Sequence, residues 1–162
     1  MKIDIFCAGG TIDKIYFDAK SDYQVGEPKV GRILEAYKLN IEFEVHSVLR
    51  KDSLEMTQED RNTLKDAIST CPNNLILVTH GTDTMPETAE TLKAITGKTI
   101  VLFGAMEPAM YKTSDAEFNA GCAVGAVQSL PEGVYISMSG RIFEAGKVKK
   151  NVAEGVFEIK ES

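Results

Sequence analysis

Leu75-Ile-Leu-Val-Thr79, followed directly by His80-Gly-Thr-Asp-Thr84 and Met85-Pro-Glu-Thr-Ala89, is the stretch that decides the fold. Its opening is a short apolar run without alternation, which fits a strand buried on both faces and therefore a parallel sheet covered by helices. Pro72-Asn73-Asn74 interrupts the chain just before it. Just after it, Thr84-Met-Pro-Glu87 has the spacing of a capping box with proline in the first turn, so a helix is expected over residues 85–95. Strand, glycine-bearing loop and helix in succession make one strand–helix unit of an α/β protein.

The same alternation extends in both directions. Residues 3–8 read as a first strand, 30–38 as a short helix after Pro28, and 42–49 as a second strand. Thr57-Gln-Glu-Asp60 is another capping-box spacing, opening a helix that runs to about Cys71. Residues 100–103 form the next strand, Ser114-Asp-Ala-Glu117 a third capping box ahead of a small-residue helix over 115–129, and Gly133–Met138 the fifth strand. Residues 141–148 read as a hairpin around Glu144-Ala145-Gly146, with a last short strand at Val156–Ile159. The expected fold class is α/β: a Rossmann or flavodoxin-like, mostly parallel sheet with helices on both faces and a C-terminal β-hairpin, in one domain over residues 1–162.

Composition narrows the function. The 162 residues carry a formal charge of −6 without a basic cluster, which argues against a nucleic-acid partner. No apolar run approaches the roughly 18 residues of a membrane span. Cys7, Cys71 and Cys122 are scattered and lack CxxC spacing, so neither a disulfide framework nor a zinc site is expected. With no secretion-type N-terminal segment, the expectation is a cytoplasmic protein that uses no metal or cofactor and acts on a small molecule.

In an open parallel sheet, ligands sit beyond the carboxyl ends of the strands, where the strand order reverses. In a flavodoxin-like order, strands one and three meet there, with exit loops Ala8-Gly-Gly-Thr-Ile-Asp13 and His80-Gly-Thr-Asp-Thr84. Both place glycine beside threonine, so backbone N–H groups and hydroxyls can face one ligand, as an oxyanion hole requires. Taken singly, each loop reads as a tight turn or a helix entry; the two together read as a site. His80 is expected to hold its loop, His46 to be a surface or satisfied histidine, and Cys7 to be an inert buried thiol.

Gly9-Gly-Thr-Ile12, Ser21-Asp-Tyr-Gln-Val-Gly26, Asp52-Ser53, residues 78–89 and Val101-Leu-Phe-Gly-Ala-Met106 follow one another in an order that resembles the bacterial L-asparaginase family, and residues 114–119 resemble a further segment of it. The resemblance implies an amidohydrolase that converts L-asparagine to L-aspartate and ammonia through a threonine acyl-enzyme. Carried over by position, Thr11 is the nucleophile, Tyr23 the tyrosine of a flap, and Thr82, Asp83 and Lys150 the activating cluster, with Lys147 and Lys149 near enough to compete for the lysine position. Gly10, Asp52, Ser53, Gly81, Thr82, Asp83 and Ala105 are the implied substrate contacts. Glutamine or another amide, or a module that binds aspartate or asparagine without turnover, are the alternatives. Only the family's N-terminal domain is matched, which resembles the short single-domain members; either another copy completes the pocket, so that a homo-oligomer of two or four chains is expected, or the pocket is more open. Asp13 in place of the usual alanine, Leu54 where a polar residue is common, and Glu107 where arginine is frequent depart from the pattern.

Overall fold

The computed structural model describes residues 1–161. The chain runs through β1 (Lys2–Gly9), a hairpin of β2 (Lys14–Phe17) and β3 (Asp22–Val25), α1 (Val30–Glu35), β4 (Glu42–Lys51), α2 (Gln58–Thr70) and β5 (Leu75–Thr79). It continues through α3 (Met85–Leu92), β6 (Thr99–Phe103), α4 (Ala116–Ser129), β7 (Gly133–Met138), β8 (Arg141–Glu144), β9 (Val148–Asn151) and β10 (Val156–Ile159). Six strands form one sheet in the order β4-β1-β5-β6-β7-β8, and only β8 is antiparallel to its neighbour. The order turns between β1 and β5, so the expected doubly wound α/β architecture and its switch point are both present.

The sheet forms because its central strands have nothing polar to expose. β6 is buried along its whole length and β5 from Ile76 onward. Helix α2 packs against α3 and α1 against α4, covering both faces. Helix α4 buries Ala116, Ala120, Ala123 and Val127, a stripe at helical spacing whose small side chains let the helix lie close to the strands. At the far end of β1, the buried Asp4 carboxylate pairs with His46 Nε2 at 2.7 Å and accepts the Asn73 amide N–H at 2.5 Å, which satisfies the histidine as expected.

Four local readings need correction. The Thr57 capping box is fully formed, but Thr84 makes no cap: its φ and ψ of −118° and 19° turn the hydroxyl away from α3, and it donates to the Ser53 carbonyl at 2.8 Å instead. Ser114 likewise lies one residue before the helix-cap position, held by Asp115. The hairpin turn is not at residues 144–146. Met138 pairs with Arg141 across a two-residue loop in which Ser139 and Gly140 have φ of 53° and 80°, the paired positive values of a type I′ turn. The C-terminal hairpin is instead β9–β10, closed over residues 152–155. Finally, residues 14–25 form the β2–β3 hairpin where no strand is expected; each strand has four residues, none of them fully buried, so neither shows the apolar run or alternation of a sheet strand.

Candidate active site

Three exit loops meet at the carboxyl end of β1, backbone against backbone. Gly10 has φ 90°, and its N–H donates to the Lys51 carbonyl at 2.9 Å. A Cβ on Gly10 would lie 2.3 Å from the Gly81 nitrogen, and one on Gly81 would lie 2.7 Å from Ser53 Cβ. Glycine is therefore demanded at both positions by contact. Thr11 opens a short 3-10 turn, Thr11–Asp13, and is half-buried. The turn is pinned by Asp13 N–H to Gly10 O at 3.1 Å and by Ala109 N–H to Ile12 O at 3.1 Å.

The lysine comes from outside these loops. Lys150 Nζ donates to Thr82 Oγ1 at 2.7 Å and to Asp83 Oδ1 at 2.6 Å, with its side chain only 10 % exposed. Strand alternation explains the choice among the three lysines. In β9, Val148 and Lys150 face inward, whereas Lys149 faces out to Glu158 at 3.5 Å; Lys147, before the strand, pairs with Glu144 at 2.5 Å. Thr82 is buried, so the contact is shielded from water on the threonine side, and Asp83 is half-buried.

Beneath the loop, His80 is fully buried, and its hydrogen bonds define its state. Thr88 Oγ1 accepts Arg61 Nε–H at 3.0 Å, which leaves its own hydrogen to donate to His80 Nε2 at 2.7 Å. Nδ1 is then the protonated nitrogen, donating to the Gly81 carbonyl at 2.6 Å. Burial pushes this histidine down to about 4, against the Gly81 hydrogen bond and with the Arg61 charge adding to the depression. His80 is thus a neutral strut that fixes Gly81, as expected. Its unfolded value lies near 6.5, so the stability it contributes is complete above that pH and is lost as pH falls through about 4, roughly 3 kcal/mol in all. The difference in unfolding free energy between the wild type and His80→Asn should shrink over pH 6.5 to 4; a pH-independent difference would refute the neutral strut.

The remaining expected contacts are placed as follows. Ser53, 1 % exposed, accepts the Thr84 N–H at 3.2 Å and ties the β4 and β5 exit loops together. Asp52 accepts the Leu54 N–H at 3.1 Å and pairs with Lys14 at 2.9 Å. Ala105 is buried at the end of β6. Tyr23, on β3, is hydrogen-bonded through its hydroxyl to Tyr111. Tyr111 had no sequence signal, and neither did Lys14 as the partner of Asp52 or Arg61 as a support for the β5 exit loop. Asp115 and Asn119 lay in a motif but lacked a role. Asp115 accepts the Met106 and Glu107 N–H groups, and Asn119 Nδ2 donates to the Gly104 carbonyl at 3.0 Å, so together they shape the β6 exit loop.

Fold and site together define a doubly wound α/β domain with two glycine–threonine loops and a Thr–Asp–Lys cluster at its switch point. The chain belongs to the asparaginase family: the family model described as "Asparaginase, N-terminal" matches residues 2–160. A relative from Haemophilus influenzae, named "Probable L-asparaginase periplasmic", is 31% identical over 95% of this chain and 47% of its own length. The thermostable L-asparaginase from Thermococcus kodakarensis has the same fold at a TM-score of 0.87 and 24% identity, covering 98% of this chain and 51% of that one. A structure titled probable cytoplasmic L-asparaginase, from Campylobacter jejuni, matches at a TM-score of 0.77 and 26% identity over 98% of this chain and 51% of its own. The chain spans about half the length of these relatives. Among the described residues, no helix is long and apolar enough to cross a membrane.

Proposed function

We propose that this chain is the catalytic domain of an L-asparaginase, with Thr11 as nucleophile and Thr82, Asp83 and Lys150 as its activating cluster. The observation that carries the reading is the shielded Lys150 contact to both Thr82 and Asp83. Thr11 Oγ attacks the side-chain amide carbon, its proton passes to the leaving nitrogen through nearby groups, and ammonia departs as the C–N bond breaks. Splitting hydrolysis into acylation and deacylation replaces one difficult step by two easier ones. Water activated at the Thr82–Lys150 pair then cleaves the Thr11 ester and releases L-aspartate. Backbone N–H groups of the glycine loops face the developing oxyanion, where a single donor contributes about 10² to 10³ in rate.

Asp83 Oδ2, free of the bond that Oδ1 makes to Lys150, suits a substrate α-ammonium, and the Ser53 hydroxyl, which only accepts from the Thr84 N–H, has a hydrogen to offer its carboxylate, with Gly10 and Gly81 lining the space. Asp52, Ala105 and Tyr23, the last on the β2–β3 hairpin, are assigned to the same substrate pocket in this reading. We further propose that the protein is cytoplasmic and acts as a homo-oligomer. Its three cysteines are unpaired, as a reducing compartment favours. The test is ammonia and aspartate release by the purified protein, with asparagine and glutamine as separate substrates. Equimolar aspartate and ammonia from asparagine supports the reading, release only from glutamine changes the substrate, and binding without release from either makes this a ligand-holding module.

A further inference from the structure

Asp13 is buried, only 1 % exposed, two residues from Thr11. Its Oδ1 accepts the Lys29 N–H at 2.9 Å, whereas Oδ2 has no hydrogen-bond partner among the described residues. Its backbone carbonyl accepts the Gly26 N–H at 2.8 Å, and its N–H donates to Gly10. These contacts meet at one junction. Lys14, the next residue, opens β2, and Gly26 follows the end of β3. Both roots of the hairpin that carries Tyr23 therefore join the Thr11 turn at Asp13, and the side chain extends the joint to Lys29 at the start of α1.

We propose that Asp13 is a positioning residue that clasps the roots of the β2–β3 hairpin, and with them Tyr23, onto the Thr11 turn. The proposal rests on the roles given above to Thr11 and Tyr23. The groups facing this carboxyl are Lys29 ahead of α1, Arg50 on β4, itself bridged to Glu27 at 3.5 Å, and Cys7 on β1. Burial pushes Asp13 up to about 7, against the Lys29 N–H and the positive charges of Lys29 and Arg50. Burial also pushes Cys7 up to about 12, so it remains a thiol while Asp13 changes charge near neutrality. At Asp13 burial outweighs the Lys29 hydrogen bond, so ionisation costs the closed clasp more than the hydrogen bond returns, and the clasp loosens as pH rises through about 7.

The experiment is hydrogen–deuterium exchange on the whole chain at pH 6 and pH 8, corrected for intrinsic rates, on the wild type, Asp13→Asn and Asp13→Ala, alongside kcat and KM for asparagine. In the wild type, opening of amides 14–29 should rise severalfold from pH 6 to pH 8. Asp13→Asn, which keeps a neutral acceptor, should hold the pH 6 level at both values. Asp13→Ala, which lacks one, should open about tenfold more, the factor that ~1.4 kcal/mol of lost hydrogen bonding represents. Its kcat/KM should fall by a similar factor, with Asp13→Asn recovering the loss at pH 6. Equal exchange at residues 14–29 in all three proteins, or a pH change that persists in Asp13→Asn, overturns the clasp. Should the wild type release no ammonia, the assigned activity fails while the exchange comparison still decides the clasp.

Discussion

Lys150→Ala lowers kcat for asparagine by about 10² to 10⁴, the range that a positioned proton-transfer group supplies. The expectation rests on position. Nζ lies 2.7 Å from Thr82 Oγ1 and 2.6 Å from Asp83 Oδ1, and no other lysine reaches either atom among the described residues. Removing it leaves Thr82 without its proton partner and the Asp83 charge uncompensated beside the substrate. The cost should appear in kcat more than in stability, because β9 is half of a two-stranded hairpin outside the main sheet. Lys147→Ala and Lys149→Ala, which lose only exposed pairs with Glu144 and Glu158, should keep the wild-type rate. Initial rates of ammonia release on these three variants and on Thr11→Ala decide the matter. Thr11→Ala should fall nearly to background, and a Lys150→Ala enzyme at full rate would remove the lysine from the mechanism.

Gly10→Ala should destabilise the fold by about 2 to 6 kcal/mol, combining a left-handed penalty of about 1 to 3 with an overpacking cost of about 1 to 3. The added methyl would meet the Gly81 nitrogen at 2.3 Å and its Cα at 2.4 Å, and both are backbone atoms that cannot swing aside. Relief requires the β1 and β5 exit loops to separate, which pulls Thr11 away from Thr82, so activity should be lost even in whatever fraction remains folded. Gly121→Ala is the contrast. A Cβ there meets nothing within 4 Å, and the residue lies inside α4, so alanine should stabilise by about 0.5 to 1 kcal/mol. Urea midpoints of the two variants read the difference directly; a Gly10→Ala protein with a wild-type midpoint would mean that the loops yield easily.

The parts that could be read early share a short range. β5 and β6 announce themselves through continuous apolar runs, and the Thr57 cap closes within three residues. Thr84 and Ser114 show where that logic stops. Each has the right residues at the right spacing, but Thr84 serves Ser53 and Arg61 from two other segments, and Ser114 sends its hydroxyl proton to the Glu107 carbonyl. A hydroxyl goes to its best available partner, and in a folded chain that partner can be 31 positions away.

By itself, the sequence determined the α/β class, the order of the five parallel strands and the helices between them, and the two glycine–threonine loops, because backbone conformation and burial periodicity are set within a few residues. Only the tertiary structure decided which lysine meets Thr82 and Asp83, that Gly10 and Gly81 touch, that Tyr23 finds Tyr111, and that Asp13 joins both roots of the hairpin. Those outcomes depend on strand register and on the direction of side chains from segments far apart in the chain. Lys150 and Lys149 differ by one position in one strand, and the alternation of its two faces turns one inward and the other to solvent.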